Sequence, residues 1–121
     1  MRRLVLVLAV CALAGVLPAQ AAAPLARVQV VAVEFHYQLS RVRIPAGPVR
    51  IELANFGQDE HDLMLRRVGG STMYKLPTVL PGQRKALSVR LRPGVYRLWC
   101  ALADHAARGM RANLRIVRTR N

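Results

Sequence analysis

Apolar and polar residues alternate with a period of two along most of this chain, and this pattern constrains its fold more than any other feature. Five runs show the alternation, at residues 31–38, 49–54, 87–92, 96–101 and 114–117. It is typical of β-strands that bury one face and expose the other. Glycine and proline residues separate the runs and favour turns, at 47–48, 69–70, 81–82 and 93–94. Short strands with frequent turns predict an all-β protein, either a sandwich or a barrel.

The length of 121 residues fits a single domain. The first run predicts one continuous strand in which Val31, Val33, Phe35 and Tyr37 share a face. Residues 70–80 are the least strand-like part of the sequence. We expect a loop or a short helical insertion there.

The N-terminal segment has the three parts of an export signal. A positive start at Met1-Arg2-Arg3 precedes an apolar stretch from Leu4 to Leu17, and Ala19-Gln20-Ala21 has the small-x-small form of a cleavage site. The alternative is a permanent membrane anchor, but 14 apolar residues fall short of the ~20 that span a bilayer. We therefore expect export to the periplasm and three segments: a signal peptide at 1–21, a short leader at 22–27 and one domain at 28–121.

Cysteine usage becomes informative once the signal peptide is removed. The chain has two cysteines, and cleavage after Ala21 removes Cys11 and leaves Cys100 alone. Small exported domains use cysteines mainly in disulfide pairs, which a single thiol cannot form within its own chain. Cys100 is therefore either a buried inert residue or a residue that binds something.

The residues that follow the fourth run indicate what Cys100 binds. Cys100, His105 and Met110 follow one another with four residues between each pair, and His61 opens a predicted strand 39 residues before Cys100. One thiolate, two imidazoles and a weak thioether are the ligand set of a blue-copper site. The soft sulfur ligands favour Cu(I), and the imidazoles accept both oxidation states. We predict one copper site, with four ligands: His61, Cys100, His105 and Met110.

The chain resembles the cupredoxins, the family of type 1 blue copper proteins, over nearly all of its predicted mature length. Three segments show the resemblance: Glu34-Phe35-His36-Tyr37 with Val42-x-Ile44-Pro45-Ala46-Gly47, Val49-x-Ile51-x-Leu53-Ala54-Asn55-x-Gly57 with His61-Asp62, and Pro93-Gly94-x-Tyr96-x-x-x-Cys100 with His105 and Gly109-Met110. The Cys-x4-His-x4-Met spacing most resembles the rusticyanin-like branch. Many members have Pro-Gly where this chain has Ala103-Asp104, a difference that removes no ligand. The resemblance implies a Greek-key β-sandwich of about eight strands with its ligand loops at one end.

The resemblance also implies a role for each ligand. His61 and His105 would each bind through one ring nitrogen and need a partner for the other nitrogen. Cys100 would form the short thiolate bond, and Met110 would be the long axial ligand that tunes the potential. By the same resemblance, Asp62 would stabilise the metal loop through hydrogen bonding. The alternative for Asp62 is a solvent-facing strand residue.

Four further residues have weaker signals. Asp104, beside a predicted ligand, either lowers the potential or is an ordinary loop carboxylate, and we favour the second interpretation. His36 shares its strand face with polar residues, so we expect it on the surface. Met64 and Met73 could extend a Cu(I)-binding set, but we expect packing or loop burial instead.

The net charge of +13 falls to about +11 without the signal peptide, because 17 basic and 6 acidic residues remain after Arg2 and Arg3 are removed. Positive charge indicates attraction to anions and does not determine a fold. We expect docking to an acidic redox partner protein, with a weaker association with anionic membrane surfaces. Nucleic acid is not an expected partner, because the chain is exported and lacks interleaved aromatic and basic residues.

The function that these observations predict is a soluble, monomeric one-electron carrier that cycles between Cu(II) and Cu(I). The sequence contains no paired general acid and base, no nucleophile elbow and no phosphate-binding glycine loop, so we do not expect an enzyme. The alternative is a periplasmic protein that binds or delivers copper without transferring electrons.

Overall fold

The structure is a computed structural model that describes residue 17 and residues 19–119. Within this part the chain forms nine strands: β1 (Ala26–Val33), β2 (His36–Leu39), β3 (Arg43–Pro45), β4 (Gly47–Asn55), β5 (His61–Arg67), β6 (Met73–Val79), β7 (Arg84–Leu91), β8 (Gly94–Trp99) and β9 (Arg111–Val117). Most of the predicted signal peptide at 1–21, including Cys11, lies outside the described residues. Strand β1 begins at Ala26, so the last two residues of the predicted leader at 22–27 belong to a sheet. Across the described residues, we find no helix that is long and apolar enough to cross a bilayer.

The nine strands form two sheets that pack face to face. The first sheet has the order β2-β1-β4-β7 and the second has the order β3-β9-β8-β5-β6. Strands β1 and β4 are parallel neighbours, as are β3 and β9, so the chain crosses repeatedly between the sheets. This arrangement is the all-β Greek-key sandwich that the sequence predicts.

The core lies between the inner faces of the two sheets. Strands β1, β8 and β9 bury alternate residues, as the period-two pattern predicts. The largest fully buried apolar side chains come from both sheets: Val28, Val30, Ile51, Leu53 and Leu91 from the first, and Ile44, Leu63, Leu65, Leu98 and Leu114 from the second. This packed core supports the loops at one end of the sandwich.

The prediction of one continuous strand over residues 31–38 is wrong. The chain turns at Glu34 and Phe35, and β1 and β2 pair antiparallel on either side of that turn. The buried face of β1 carries Ala32, while Val31 and Val33 are only half-buried. The second half of β1, Val30–Val33, is apolar on both faces, so alternation there could not choose between them. Pairing with the buried residues of β4 fixes the choice.

The prediction of a loop or a helical insertion at residues 70–80 is also wrong, because Met73–Val79 forms strand β6. Strand β6 lies at the edge of the second sheet and pairs only with β5. An edge strand tolerates a residue that lacks an N–H donor, so Pro77 fits there. The register between β5 and β6 shifts between His61 and Leu63, close to this proline.

Candidate metal centre

Three metal-ligating side chains meet at one end of the sandwich. His61 is the first residue of β5, Cys100 follows the last residue of β8, and His105 lies in the loop between β8 and β9. Strands β5 and β8 are antiparallel neighbours, so the start of β5 and the end of β8 lie at the same end of the sandwich. One nitrogen of each histidine and the sulfur of Cys100 all lie within 4.8 Å of one another. The fold thus gathers three of the four predicted ligands into one buried cluster.

Met110, the fourth predicted ligand, closes the loop that begins at Cys100. Its side chain is fully buried. Its carbonyl accepts a hydrogen bond from the N–H of Cys100 at 3.2 Å, and its N–H donates to the carbonyl of His105 at 3.0 Å. The backbone of Met110 therefore lies beside two of the clustered residues. The axial role of its thioether remains a prediction.

The imidazole of His61 has one nitrogen with a partner and one without. Its Nε2 lies 3.0 Å from the Oε1 of Glu34, so the ring proton is on Nε2 and is donated to the carboxylate. Its Nδ1 is buried and has no hydrogen-bond partner among the residues that the structure describes. Buried nitrogens without partners are rare because they lose hydration and gain nothing in return. A lone pair held free beside a thiol and a second imidazole is what a metal ion requires.

Glu34 is the partner of His61 that the sequence did not reveal. Its Oε1 also accepts the backbone N–H groups of Gln58 and Asp59, each at 2.8 Å. The bond from Asp59 is the largest reason why the pKa of Glu34 is lowered to about 2, and the bond to His61 lowers it further. The carboxylate is therefore ionised at neutral pH. Gly57 passes so close to this carboxylate that a Cβ at that position would overlap it.

The buried side chain of Asn55 shapes the loop that leads into His61. Its amide nitrogen donates to the carbonyl of Asp59 at 2.7 Å and to the carbonyl of Val79 at 2.9 Å. Its amide oxygen accepts the N–H of Gly57 at 2.9 Å. These three bonds tie the end of β4 to the loop and to β6, and so fix where β5 begins.

Cys100 is completely buried, and its Sγ lies 3.5 Å from the Nδ1 of His105. Burial raises the pKa of the Cys100 thiol, because removal from water disfavours the charged thiolate. Without a metal, the sulfur is therefore protonated at neutral pH. A metal ion that takes the thiolate as its ligand would release this proton.

Asp62 holds the start of the loop between β8 and β9. It is 2% exposed, and its Oδ1 accepts the N–H of Ala101 at 2.7 Å. Its backbone carbonyl accepts a hydrogen bond from the buried hydroxyl of Tyr37. The predicted loop-stabilising role is thus confirmed, and the alternative of a solvent-facing strand residue is wrong. Asp62 follows the predicted ligand His61 and is hydrogen-bonded to Ala101, which follows the predicted ligand Cys100.

An aromatic and cationic stack covers His105. The ring of Phe35 lies 4.8 Å from the ring of His105, and the guanidinium of Arg108 lies 3.6 Å above Phe35. On its other side, His105 meets the ring of His61 edge-on at 5.2 Å. His105 keeps 8% of its surface exposed. Phe35 and Arg108 were not identified from sequence, because the contact depends on the turn between β1 and β2.

The remaining residues with weaker signals lie outside the cluster. His36 is exposed on β2, which confirms the surface prediction. Met64 is half-buried and lies in register with Trp99, so the expectation that it packs is confirmed. Met73 is exposed at the start of β6, so the expectation that it is buried is wrong. Asp104 is an exposed residue of the metal loop, in agreement with the ordinary-carboxylate interpretation.

No family model matches the chain, and no curated protein matches its sequence. Several solved structures share its fold. Rusticyanin from Thiobacillus ferrooxidans aligns with a TM-score of 0.62 and 16% identity, over 79% of this chain and 79% of that chain. A purple cupredoxin from Nitrosopumilus maritimus aligns with a TM-score of 0.55 and 19% identity, over 74% of this chain and 98% of that chain. A multicopper oxidase aligns with a TM-score of 0.59 and 15% identity, over 76% of this chain but only 44% of that chain.

The fold and the donor set together define a small β-sandwich protein with one type 1 copper site. The chain has the cupredoxin fold. The residues present fit copper on three counts: a buried imidazole nitrogen without a partner, a buried thiol beside a second imidazole, and a buried methionine at the end of the same loop. These are the ligand types of a type 1 centre.

Proposed function

We propose that this protein is an exported one-electron carrier that cycles between Cu(II) and Cu(I). The observation that carries the proposal is the unpartnered Nδ1 of His61, which is buried in a cluster with Cys100 and His105. A nitrogen in this position costs folding free energy unless a ligand occupies it. Copper bound there would supply a reversible one-electron couple.

The proposal assigns each ligand an atom and a task. His61 would bind through Nδ1, because its Nε2 is bonded to Glu34, and His105 would bind through the Nδ1 that lies 3.5 Å from the Sγ of Cys100. Cys100 would bind as the thiolate, and Met110 would be the weak axial ligand. The burial of Met110 and its backbone hydrogen bonds with Cys100 and His105 support its assignment as the fourth ligand.

The surroundings of the site favour a carrier because they restrain the ligands. Glu34 holds the ring of His61, and Asp62 holds the backbone at Ala101. Ligands that cannot move keep nearly the same geometry in both oxidation states, and this lowers the reorganisation energy of electron transfer. Among the described residues, the buried polar side chains are Asn55, His61, Asp62 and His105. All four belong to the cluster or to the loops that position it, which supports a carrier rather than an enzyme.

The proposal includes export through residues 1–21, function in the periplasm and a monomeric state. Cys100, which has no disulfide partner in the described part of the chain, is buried and therefore does not conflict with export. An exported domain with such a thiol is stable to disulfide exchange when the thiol is buried or bound to metal.

A visible spectrum tests the proposal. We expect the chain without residues 1–21 to develop an intense charge-transfer band when Cu(II) is added, and to lose and regain it on reduction and reoxidation. Cys100→Ala should abolish the band and leave the far-ultraviolet circular dichroism unchanged, because no disulfide supports the fold. His36→Ala is the matched control and should keep the band, since this histidine is exposed on β2.

Two results would contradict the proposal. A band that survives in Cys100→Ala would remove the thiolate from the site. A wild-type protein that binds Cu(II) without colour, or that cannot be reoxidised, would support the alternative of a copper-binding or delivery protein.

A further inference from the structure

The outer face of the second sheet has an unusual charge distribution. In the described part of the chain, its outward-facing positions include six exposed cations and no exposed aspartate or glutamate: Arg43 on β3, Arg66 on β5, Lys75 on β6, Arg97 on β8, and Arg111 and Arg115 on β9. We call this surface the basic face. None of these six forms an ion pair among the described residues, where the only salt bridges involve Glu34 and Glu52.

The basic face places like charges directly opposite one another. Arg66 pairs in register with Arg97 across β5 and β8, and Arg43 pairs with Arg115 across β3 and β9. Like charges opposite each other on one face of a sheet destabilise it. A surface selected only for folding and solubility would intersperse both signs. The arrangement therefore favours something outside the chain that neutralises it.

A groove crosses the basic face near the metal centre. It has a volume of about 600 Å³, and its walls include Arg66, Arg97 and Arg111 together with Trp99. Trp99 is half-buried and lies in register with Arg111, and the guanidinium of Arg66 lies 6.0 Å from its ring centroid. Tryptophan and arginine are the residue types that contribute most to binding at protein interfaces.

The groove adjoins the loop that holds the ligands. Trp99 directly precedes Cys100 in sequence, and Arg111 directly follows Met110. Ala106, within the loop, also lines the groove. A partner seated there would lie against both ends of the ligand loop.

We propose that this groove on the basic face is the docking site for a partner protein with a carboxylate-rich surface. Guanidinium groups match carboxylates with two parallel hydrogen bonds, and three of them surround one tryptophan here. The groove is concave, so it fits a protruding loop or side chain, which a protein supplies and a flat bilayer surface does not. The inference that the partner exchanges electrons rests on the function proposed above. The inference that a partner docks in this groove does not.

Trp99 provides the measurement, because it is the only tryptophan in the chain. Poly-L-glutamate is titrated into the Cu(I)-loaded protein and into the metal-free protein, and the indole N–H resonance of Trp99 is followed by NMR. We expect this resonance to shift with saturation in both forms. The triple variant R66E/R97E/R111E should bind poly-L-glutamate about tenfold or more weakly, because each change replaces attraction with repulsion.

The matched control is R27E/R50E/R90E, which makes the same change in net charge on exposed positions of the first sheet. It should lower the affinity only a few-fold, through the overall charge. An equal loss in both triple variants would overturn the groove as the site. Retained dispersion of the backbone amide resonances confirms that each variant is folded.

Two further probes test the class of partner. Vesicles of phosphatidylserine and phosphatidylcholine, and single-stranded oligothymidylate, are titrated at the same concentration of negative charge. If either shifts Trp99 at lower concentration than poly-L-glutamate does, and R66E/R97E/R111E abolishes that shift, a protein partner is overturned. If the protein takes up no copper but poly-L-glutamate still shifts Trp99, the proposed function fails and the docking site stands.

Discussion

The Nε2–H of His61 donates a hydrogen bond to the Oε1 of Glu34 over 3.0 Å, across 27 residues of sequence. The carboxylate fixes the ring proton on Nε2 and directs Nδ1 into the cluster. Metal-binding histidines commonly depend on such a partner for orientation and basicity. The strand that carries the predicted ligand His61 lies in the second sheet and the turn that carries Glu34 joins two strands of the first, so the site depends on how the two sheets pack.

We expect Glu34→Ala to weaken copper binding by about 10–100-fold, the usual effect of removing the partner of a ligating histidine. Competition with a chelator of known affinity measures the change. Glu52→Ala is the control, since Glu52 lies on β4 and contacts Gln29 and Arg84 instead. Unchanged affinity in Glu34→Ala would show that packing alone orients His61.

We expect Met110→Leu to retain copper and to raise the reduction potential, because loss of a weak axial donor disfavours Cu(II). Leucine has nearly the same volume, so the fully buried position should accept it with little loss of stability. Voltammetry measures the potential, and Met64→Leu, a half-buried methionine on β5, is the control. An unaltered potential would show that Met110 is not the axial ligand.

Stability should fall at alkaline pH in a manner that depends on Tyr96. Its hydroxyl donates to the carbonyl of Arg92 and accepts the N–H of Arg92, each at 3.2 Å. Burial raises the pKa of Tyr96 above its ordinary value of 10.0. Above that ordinary value, the unfolded chain ionises before the folded protein does, so the free energy of unfolding decreases as pH rises.

Tyr96→Phe tests this relationship. The variant should be about 1 kcal/mol less stable at neutral pH, because the hydroxyl bonds are lost, and its stability should decline less steeply above pH 10. Urea unfolding at several pH values measures both effects. An identical alkaline slope in the two proteins would assign the decline to other groups.

We expect Arg66→Glu to stabilise the fold by about 0.2–1 kcal/mol, because it places opposite charges in register where Arg66 now faces Arg97. The same change should weaken the binding of poly-L-glutamate. Arg90→Glu is the control for stability, because Arg90 lies opposite Pro48 and has no charged residue to pair with in register. Thermal unfolding measures the stabilisation, and a less stable Arg66→Glu would show that the two arginines do not repel each other.

The predicted ligands could be found from sequence because their spacing follows from strand geometry. Cys100 lies near the end of a run of alternating residues and His61 opens a predicted strand, so a sandwich places both at strand ends. His105 and Met110 lie in one short loop that must return to the next strand. The residue types then identify the metal.

The parts that sequence did not reveal depend on contacts between distant segments. Glu34 reaches His61 only because β1 turns back at Glu34 and Phe35, whereas the alternating pattern continued through that turn. The same error concealed the contact of Phe35 with His105. Strand β6 was missed because Pro77 argues against a strand, and only its place at a sheet edge makes the proline acceptable. Predicting the basic face would have required the strand order and register, which no local sequence pattern contains.

The complete burial of Cys100 has a consequence for the lifetime of the protein before it acquires its metal. Oxidants attack the thiolate, and they attack it where they can reach it. Burial denies access to the sulfur and, by raising its pKa, keeps it protonated. In an oxidising compartment, the metal-free protein should therefore keep its thiol intact until a metal ion binds and displaces the proton.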